Sequence, residues 1–297
     1  MVKYFGVTMR ELFLMFMMFL AVKAHADVGF YIADSSEPHK SYEIDSILNN
    51  FIENNPDRDI LFYVHGRSRT LEKEWNNINK IEEIYNVKVL MLHWDSWSNA
   101  VDRPVENTVI ASGYLLQAMN YINSYKNRNK AKFQNRKLLM MCHSMGNIIL
   151  KNYMENYFSS SFLSTNLFDS LVLNGSDTPF TGHKKWVEKI KFSQDIIITM
   201  NKNDSVLLAS RVLDYTQLNL ADDRLGLGLG IDNYLFFNTS LAQNAKYYDF
   251  TAISGMEHRH YLSSNPDVIN MFKMFYKEKE LKIEIPFKQK KNVIKFR

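Results

Sequence analysis

The sequence predicts an α/β protein with a mostly parallel central sheet and helices on both faces. Three observations carry that expectation. Short apolar runs rich in branched side chains alternate with segments of helical period along most of the chain. The runs lack a polar face, as strands covered on both sides do. No repeat and no low-complexity linker divides the chain, so one α/β domain with insertions suits it better than two domains.

The strand candidates are residues 59–64, 87–93, 138–142, 170–174, 195–200 and 247–253. Each is short and bounded by turn-forming residues. The helix candidates are 41–54, 71–85, 105–125, 147–158, 186–191 and 267–280. Residues 205–246 stand outside this alternation and are long for a connection, which suggests a lid or a substrate-facing insertion. They include Arg224-Leu225-Gly226-Leu227-Gly228-Leu229-Gly230. Those glycines lack the strand-then-helix setting of a phosphate loop, so irregular backbone is the expectation.

The N-terminus reads as a leader. Lys3 and Arg10 precede an unbroken apolar run of 11 residues, Leu12 to Val22, and Ala24-His25-Ala26 has the form of a signal-peptidase site. The run is too short to cross a bilayer comfortably, which takes roughly 20 apolar residues. The expected organisation is a signal peptide at 1–26, a single α/β domain at 27–285 and a basic, solvated tail at 286–297. The expected location is the periplasm or the outside of the cell.

Composition narrows the function. The chain has 297 residues, is 46% hydrophobic and carries a net charge of +4. Three of its 36 Lys and Arg and one of its 32 Asp and Glu lie in the leader, leaving 33 basic against 31 acidic residues. A nearly neutral mature chain offers nothing to nucleic acid. One cysteine, Cys142, excludes an internal disulfide framework and a multi-cysteine zinc site, and a free thiol in an exported protein is expected to be buried. No His-Glu-x-x-His motif is present, and no metal or cofactor is expected.

Chemistry concentrates at Cys142-His143-Ser144-Met145-Gly146, between an apolar strand and a helix. A serine in a tight strand-to-helix turn, with small residues two before and two after it, is a nucleophile elbow. Ser144 is the candidate nucleophile, and the Met145 N–H at the helix start is a candidate oxyanion donor. A second buried strand ends in Val64-His65-Gly66-Arg67. Gly66 permits close backbone approach and the Arg67 N–H is the other candidate donor, with His65 in a structural role. The acid should follow further along the sheet, and Asp204 fits strand order better than its rival Asp177. The base comes last, in Gly255-Met256-Glu257-His258-Arg259-His260-Tyr261. His258 is preferred there, His260 is the alternative, and whichever is not the base is expected at the rim.

These segments together resemble the bacterial α/β-hydrolases grouped as domain of unknown function family 900. The shared features are Val64-His65-Gly66, the Trp94 motif Leu92-His93-Trp94-Asp95-Ser96, and His143-Ser144-Met145-Gly146-Asn147. Asn203-Asp204 with Leu207-Leu208-Ala209-Ser210 is similar to the family's acid segment, and His258 to Tyr261 has a counterpart too. The resemblance runs from about Asp59 to Asp267. It departs at His93, Asp95, Cys142 and Glu257. It implies the α/β-hydrolase fold and a Ser-Asp-His triad, and no particular substrate.

The expected function is a serine hydrolase cleaving an ester or related acyl bond through an acyl-enzyme. Two alternatives stand beside it. One is an inactive binding protein on the same fold. The other is a membrane-active lipase or phospholipase, suggested by the apolar residues 225–237 and the basic tail. The expected substrate is a small-molecule or lipid ester. Peripheral membrane contact and oligomeric state stay open.

Overall fold

A computed structural model describes residues 28–33, 37–99, 102–158, 163–216, 223–229, 241–277 and 287–296. The proposed leader, residues 1–26, lies outside them.

The strands are β1 Gly29–Tyr31, β2 Asp59–Val64, β3 Val87–His93, β4 Leu138–His143, β5 Phe168–Asn174, β6 Ser193–Met200, β7 Lys246–Asp249, β8 Phe287–Lys290 and β9 Val293–Phe296. They form one sheet in the order β1-β3-β2-β4-β5-β6-β7-β9-β8. Every pairing from β3 to β9 is parallel. Only the edge strands β1 and β8 pair antiparallel with their neighbours. The helices are α1 Ile44–Asn54, α2 Leu71–Tyr85, α3 Val105–Arg128, α4 Gly146–Asn156, α5 His183–Val187, α6 Ser205–Thr216 and α7 Pro266–Lys277.

Alternation along each strand divides the core in two. Ile60, Phe62 and Val64 of β2, with Leu138, Met140 and Cys142 of β4, face one cluster, which α1, α3 and α4 cover through Leu48, Leu115, Met119 and Ile149. Leu61 and Tyr63, with Leu139 and Met141, face the other, covered by Ile78, Ile81 and Tyr85 of α2 and by Val268 and Phe272 of α7. Burying one such side chain is worth about 1.5–3 kcal/mol. The buried Lys88 in β3 is tolerated because its ammonium lies 2.7 Å from Glu82, which also accepts from the Val89 N–H.

Local signals set the element ends. Thr70 caps α2 by accepting from the Lys73 N–H. Asn86 ends that helix in the left-handed conformation, φ 54°. Chain order reverses between β2 and β4, neighbours joined in register with Val64 opposite Cys142. In an open α/β sheet that is where a crevice opens outside the carboxyl ends of the strands.

Three expectations need correction. Residues 205–246 do not stand wholly outside the alternation, since the first twelve are helix α6 and Lys246 opens β7, while residues 217–222 and 230–240 lie outside the described residues. The strand expected at 247–253 is β7, which stops at Asp249. The C-terminal stretch is no solvated tail: β8 and β9 form a hairpin that extends the sheet beside β7, with Val293, Ile294 and Phe296 buried. Its lysines mask a short apolar strand, Val293, Ile294 and Phe296, that is too brief to stand out in the sequence. No helix among the described residues is long and apolar enough to cross a membrane.

Candidate active site

Strand β4 ends at His143, and Ser144 turns the chain with φ 54° before α4 begins at Gly146. That left-handed conformation costs a serine on the order of 1 kcal/mol and persists only where its surroundings hold it. Here they do. The Ser144 N–H donates to the Asn174 carbonyl at 3.0 Å, and the Ser144 carbonyl accepts from the Asn147 N–H at 3.1 Å and from the Asn147 amide at 3.0 Å. Asn147 also donates to the Cys142 carbonyl at 3.0 Å, bracing both sides of the turn. Gly146 is required by space: a Cβ there would sit 2.4 Å from the Val64 carbonyl oxygen.

The loop after β2 presses against this turn. A Cβ on Gly66 would lie 2.6 Å from the Ser144 Cβ. His65 is fully buried and ties the loop down, with Nδ1 2.6 Å from the Gly66 carbonyl and Nε2 2.9 Å from His93 Nδ1. A carbonyl only accepts, so His65 carries its proton on Nδ1 and His93 donates in turn. Trp94 Nε1 donates to the His65 carbonyl at 3.0 Å, which accounts for the tryptophan after β3. Burial holds the His65 imidazole down at about 4, so it stays neutral. The Met145 N–H stands at the start of α4, where first-turn N–H groups have no partner within the helix.

Asp204 follows β6 and is fully buried. One carboxylate oxygen caps α6, accepting from the Val206 and Leu207 N–H groups at 3.0 Å each. The other lies 2.6 Å from His258 Nδ1. The His258 Nε2 is enclosed and has no hydrogen-bond partner among the described residues. His143, adjacent to Ser144, stacks obliquely on the His258 ring with centroids 4.7 Å apart. Gly175, with φ 49°, lets the imidazole come close, since a Cβ there would meet its ring at 3.2 Å. Asn201 holds the loop before His258 through the Gly255 and Glu257 carbonyls, at 3.1 Å each.

The alternatives separate by position. His260 does not reach the rim as expected for the histidine left over. It is fully buried, its Nδ1 faces Thr199 Oγ1 at 3.2 Å, and burial holds it down at about 4. Asp177 is buried too, but faces other partners: Arg103 at 2.6 Å, Arg224 at 3.1 Å and the Ser210 hydroxyl at 2.8 Å. It therefore ties α6 to the residues before α3. Cys142 is buried, and burial pushes its thiol well up.

A cavity of about 280 Å³ opens beside the turn. Ser144, Met145, Arg67, Arg103 and Asp177 line one side of it, and Val206, Leu207, Ala209, Ser210 and Leu213 of α6 the other. The glycine-rich segment packs behind this wall. Leu225 and Leu227 are fully buried, and the Gly226 N–H donates to the Ser176 carbonyl at 2.9 Å. Among the described residues no three His, Cys, Asp or Glu side chains converge as metal ligands would. Sequence reasoning missed Arg103, Ser210, Asn201 and the contact of His143 with His258. None has a spacing that marks it, because each acts across the fold. Asn147 was visible only as part of the elbow motif.

Solved structures with similar architecture include esterase PE8, 9% identical over 74% of this chain and 92% of that one, TM-score 0.37. Another is LpqC, a poly(3-hydroxybutyrate) depolymerase from Bordetella parapertussis, 10% identical over 75% and 80%, TM-score 0.38. A third is a lipase-esterase related protein from Clostridium acetobutylicum ATCC 824, 13% identical over 84% and 100%, TM-score 0.36. No curated protein matches the sequence. A sequence model of one family does match, over residues 40–273, from just before α1 into α7. The chain belongs to that family, the alpha/beta hydrolases of unknown function (DUF900).

Proposed function

We propose that this chain is an exported serine hydrolase that cleaves an ester or related acyl bond. One observation carries the reading: the His258 imidazole, fastened to buried Asp204 at 2.6 Å, stands with an unpartnered Nε2 beside the turn that holds Ser144. Asp204 keeps the proton on Nδ1, so Nε2 is a base. His258 takes the Ser144 proton as Oγ bonds to the carbonyl carbon, and the Met145 and Arg67 N–H groups receive the oxyanion. The imidazolium protonates the departing alkoxide, leaving an acyl-enzyme. Water, deprotonated by the same nitrogen, releases the acid and restores Ser144. Export rests on the leader pattern of residues 1–26.

The test is hydrolysis of short-chain 4-nitrophenyl esters by the mature chain. Ser144→Ala is expected to lower kcat by at least about 10³-fold, and equal rates would contradict the proposal.

A second reading, action at a lipid surface, is favoured by apolar side chains left in solvent around the cavity. Met256 is 67% exposed and Val212 60%, and Val206 both lines the cavity and is half exposed. The Met256 carbonyl accepts from the Ser205 N–H at 3.4 Å, so the two patches adjoin. Activity on ester-containing vesicles should then exceed activity on the same ester in solution, and no rise argues against it.

A further inference from the structure

Arg67 contributes more than its backbone. Arg67 lines the same cavity as Ser144, one residue after the glycine packed on the Ser144 Cβ. The guanidinium lies over the Trp97 ring, 4.6 Å from its centroid, and one amino group donates to the Asn99 carbonyl. These contacts hold the head group in place without neutralising it. Among the described residues no carboxylate comes within ion-pair distance of it, and its Nε–H is enclosed with no acceptor. Asp102 and Asp177 act on it only from beyond ion-pair distance: Asp102 accepts from the Ser98 hydroxyl at 2.7 Å, and Asp177 faces both Arg103 and Arg224. Enclosure pulls the Arg67 guanidinium down from its ordinary value, and the charges of Asp102 and Asp177 offset that only in part. On the opposite wall Val206, Leu207, Ala209 and Leu213 are apolar, and the Ser210 hydroxyl is taken up by Asp177. A buried donor without a partner calls for a cause, and a planar guanidinium matches a carboxylate best.

We propose that Arg67 anchors a carboxylate on the substrate, so that the preferred ester is a hemiester with its free acid group a few bonds from the scissile carbonyl. This rests on the reading of Ser144 as nucleophile, and deepens it by naming a substrate class. The aliphatic stretch between the two functions lies along α6, and the carboxylate makes the close ion pair that the described residues leave unmade. A charge-assisted pair of this kind is worth roughly tenfold or more in selectivity.

The test compares monoethyl succinate with ethyl pentanoate in a pH-stat, on wild type, Arg67→Met and Arg67→Lys. The readout is the ratio of the two kcat/KM values. Wild type is expected to favour the hemiester at least about tenfold, with the ratio falling in high salt. Arg67→Met should bring it near one, and Arg67→Lys should restore part of it, which a merely structural role would not produce. A wild-type ratio near one, or one that Arg67→Met leaves unchanged, overturns the proposal. A second arm is independent of turnover. Calorimetry on Ser144→Ala should show monoethyl succinate binding more tightly than ethyl pentanoate, and adding Arg67→Met should abolish the difference. If wild type cleaves neither ester yet this difference is present, the hydrolase reading fails and the anchor stands. If both esters are cleaved without preference, the anchor fails and the hydrolase reading stands.

Discussion

Replacing Gly66 by alanine tests how the loop after β2 and the turn at Ser144 depend on each other. The added Cβ would lie 2.6 Å from the Ser144 Cβ and 2.9 Å from the His143 carbonyl oxygen, where ordinary contact begins at 3.4 Å. Either the loop or the turn must therefore yield by roughly 0.8 Å, the difference between 3.4 and 2.6 Å. Neither neighbour is a flexible side-chain end: one is strand backbone, the other the Cβ of a serine locked in a left-handed turn. Overpacking of this kind costs about 1–3 kcal/mol, and misplacing reacting groups by about 1 Å can cost around 10²-fold in rate. Gly66→Ala should lower kcat/KM for a short-chain 4-nitrophenyl ester about 10²-fold and Tm by a few degrees. Gly182→Ala is the control. Unlike Gly66 it has a positive φ, 78°, but a Cβ there meets nothing within 4 Å, so the substitution should cost stability and leave kcat/KM alone. If Gly66→Ala keeps kcat/KM within twofold of wild type, the argument that this contact sets the geometry is refuted.

Two carboxylates that look alike in the sequence should separate by their variants. Asp204→Asn can still cap α6 through its amide oxygen but no longer holds His258 in the right tautomer, so kcat should fall about 10⁴-fold with Tm little changed. Asp177→Asn removes the charge faced by Arg103 and Arg224, so it should cost about 3 kcal/mol in denaturant unfolding, with a smaller effect on kcat. Acid should also destabilise the fold through its buried histidines. His65 and His260 are held at about 4, against 6.5 in an unfolded chain, so between those values the unfolded state binds more protons and stability falls as pH drops. At pH 5 that is on the order of 2 kcal/mol for each histidine, read as unfolding free energy from pH 7 to 4. His260→Asn should flatten the profile, and an unchanged slope would contradict the assignment.

The central strands were legible because β2, β3 and β4 are apolar at nearly every position, which only full burial explains. The elbow was legible because its rule is local: a strand, a serine, a glycine two residues on. The choice between His258 and His260 was not local. Both follow β7 within two residues of each other, and what separates them is distance to Asp204, set by how Gly175 and Asn201 place the loop. The edge elements failed for a related reason. β1 is three residues long, and the β8–β9 hairpin is half lysine on its exposed strand, so neither carries enough pattern to be read. Arg67 was read for its N–H alone, because whether its side chain finds an ion-pair partner depends on where Asp102 and Asp177 lie, which only the folded chain decides.

The most direct measurement of the central claim is reaction of the mature chain with a fluorophosphonate probe, followed by peptide mapping of the adduct. Such a probe forms a stable bond only with a serine that a neighbouring base has activated. The expected result is one adduct per chain, on Ser144, absent from Ser144→Ala and greatly slowed in Asp204→Asn. No adduct on folded wild type, or equal labelling of Ser144→Ala, would contradict the account.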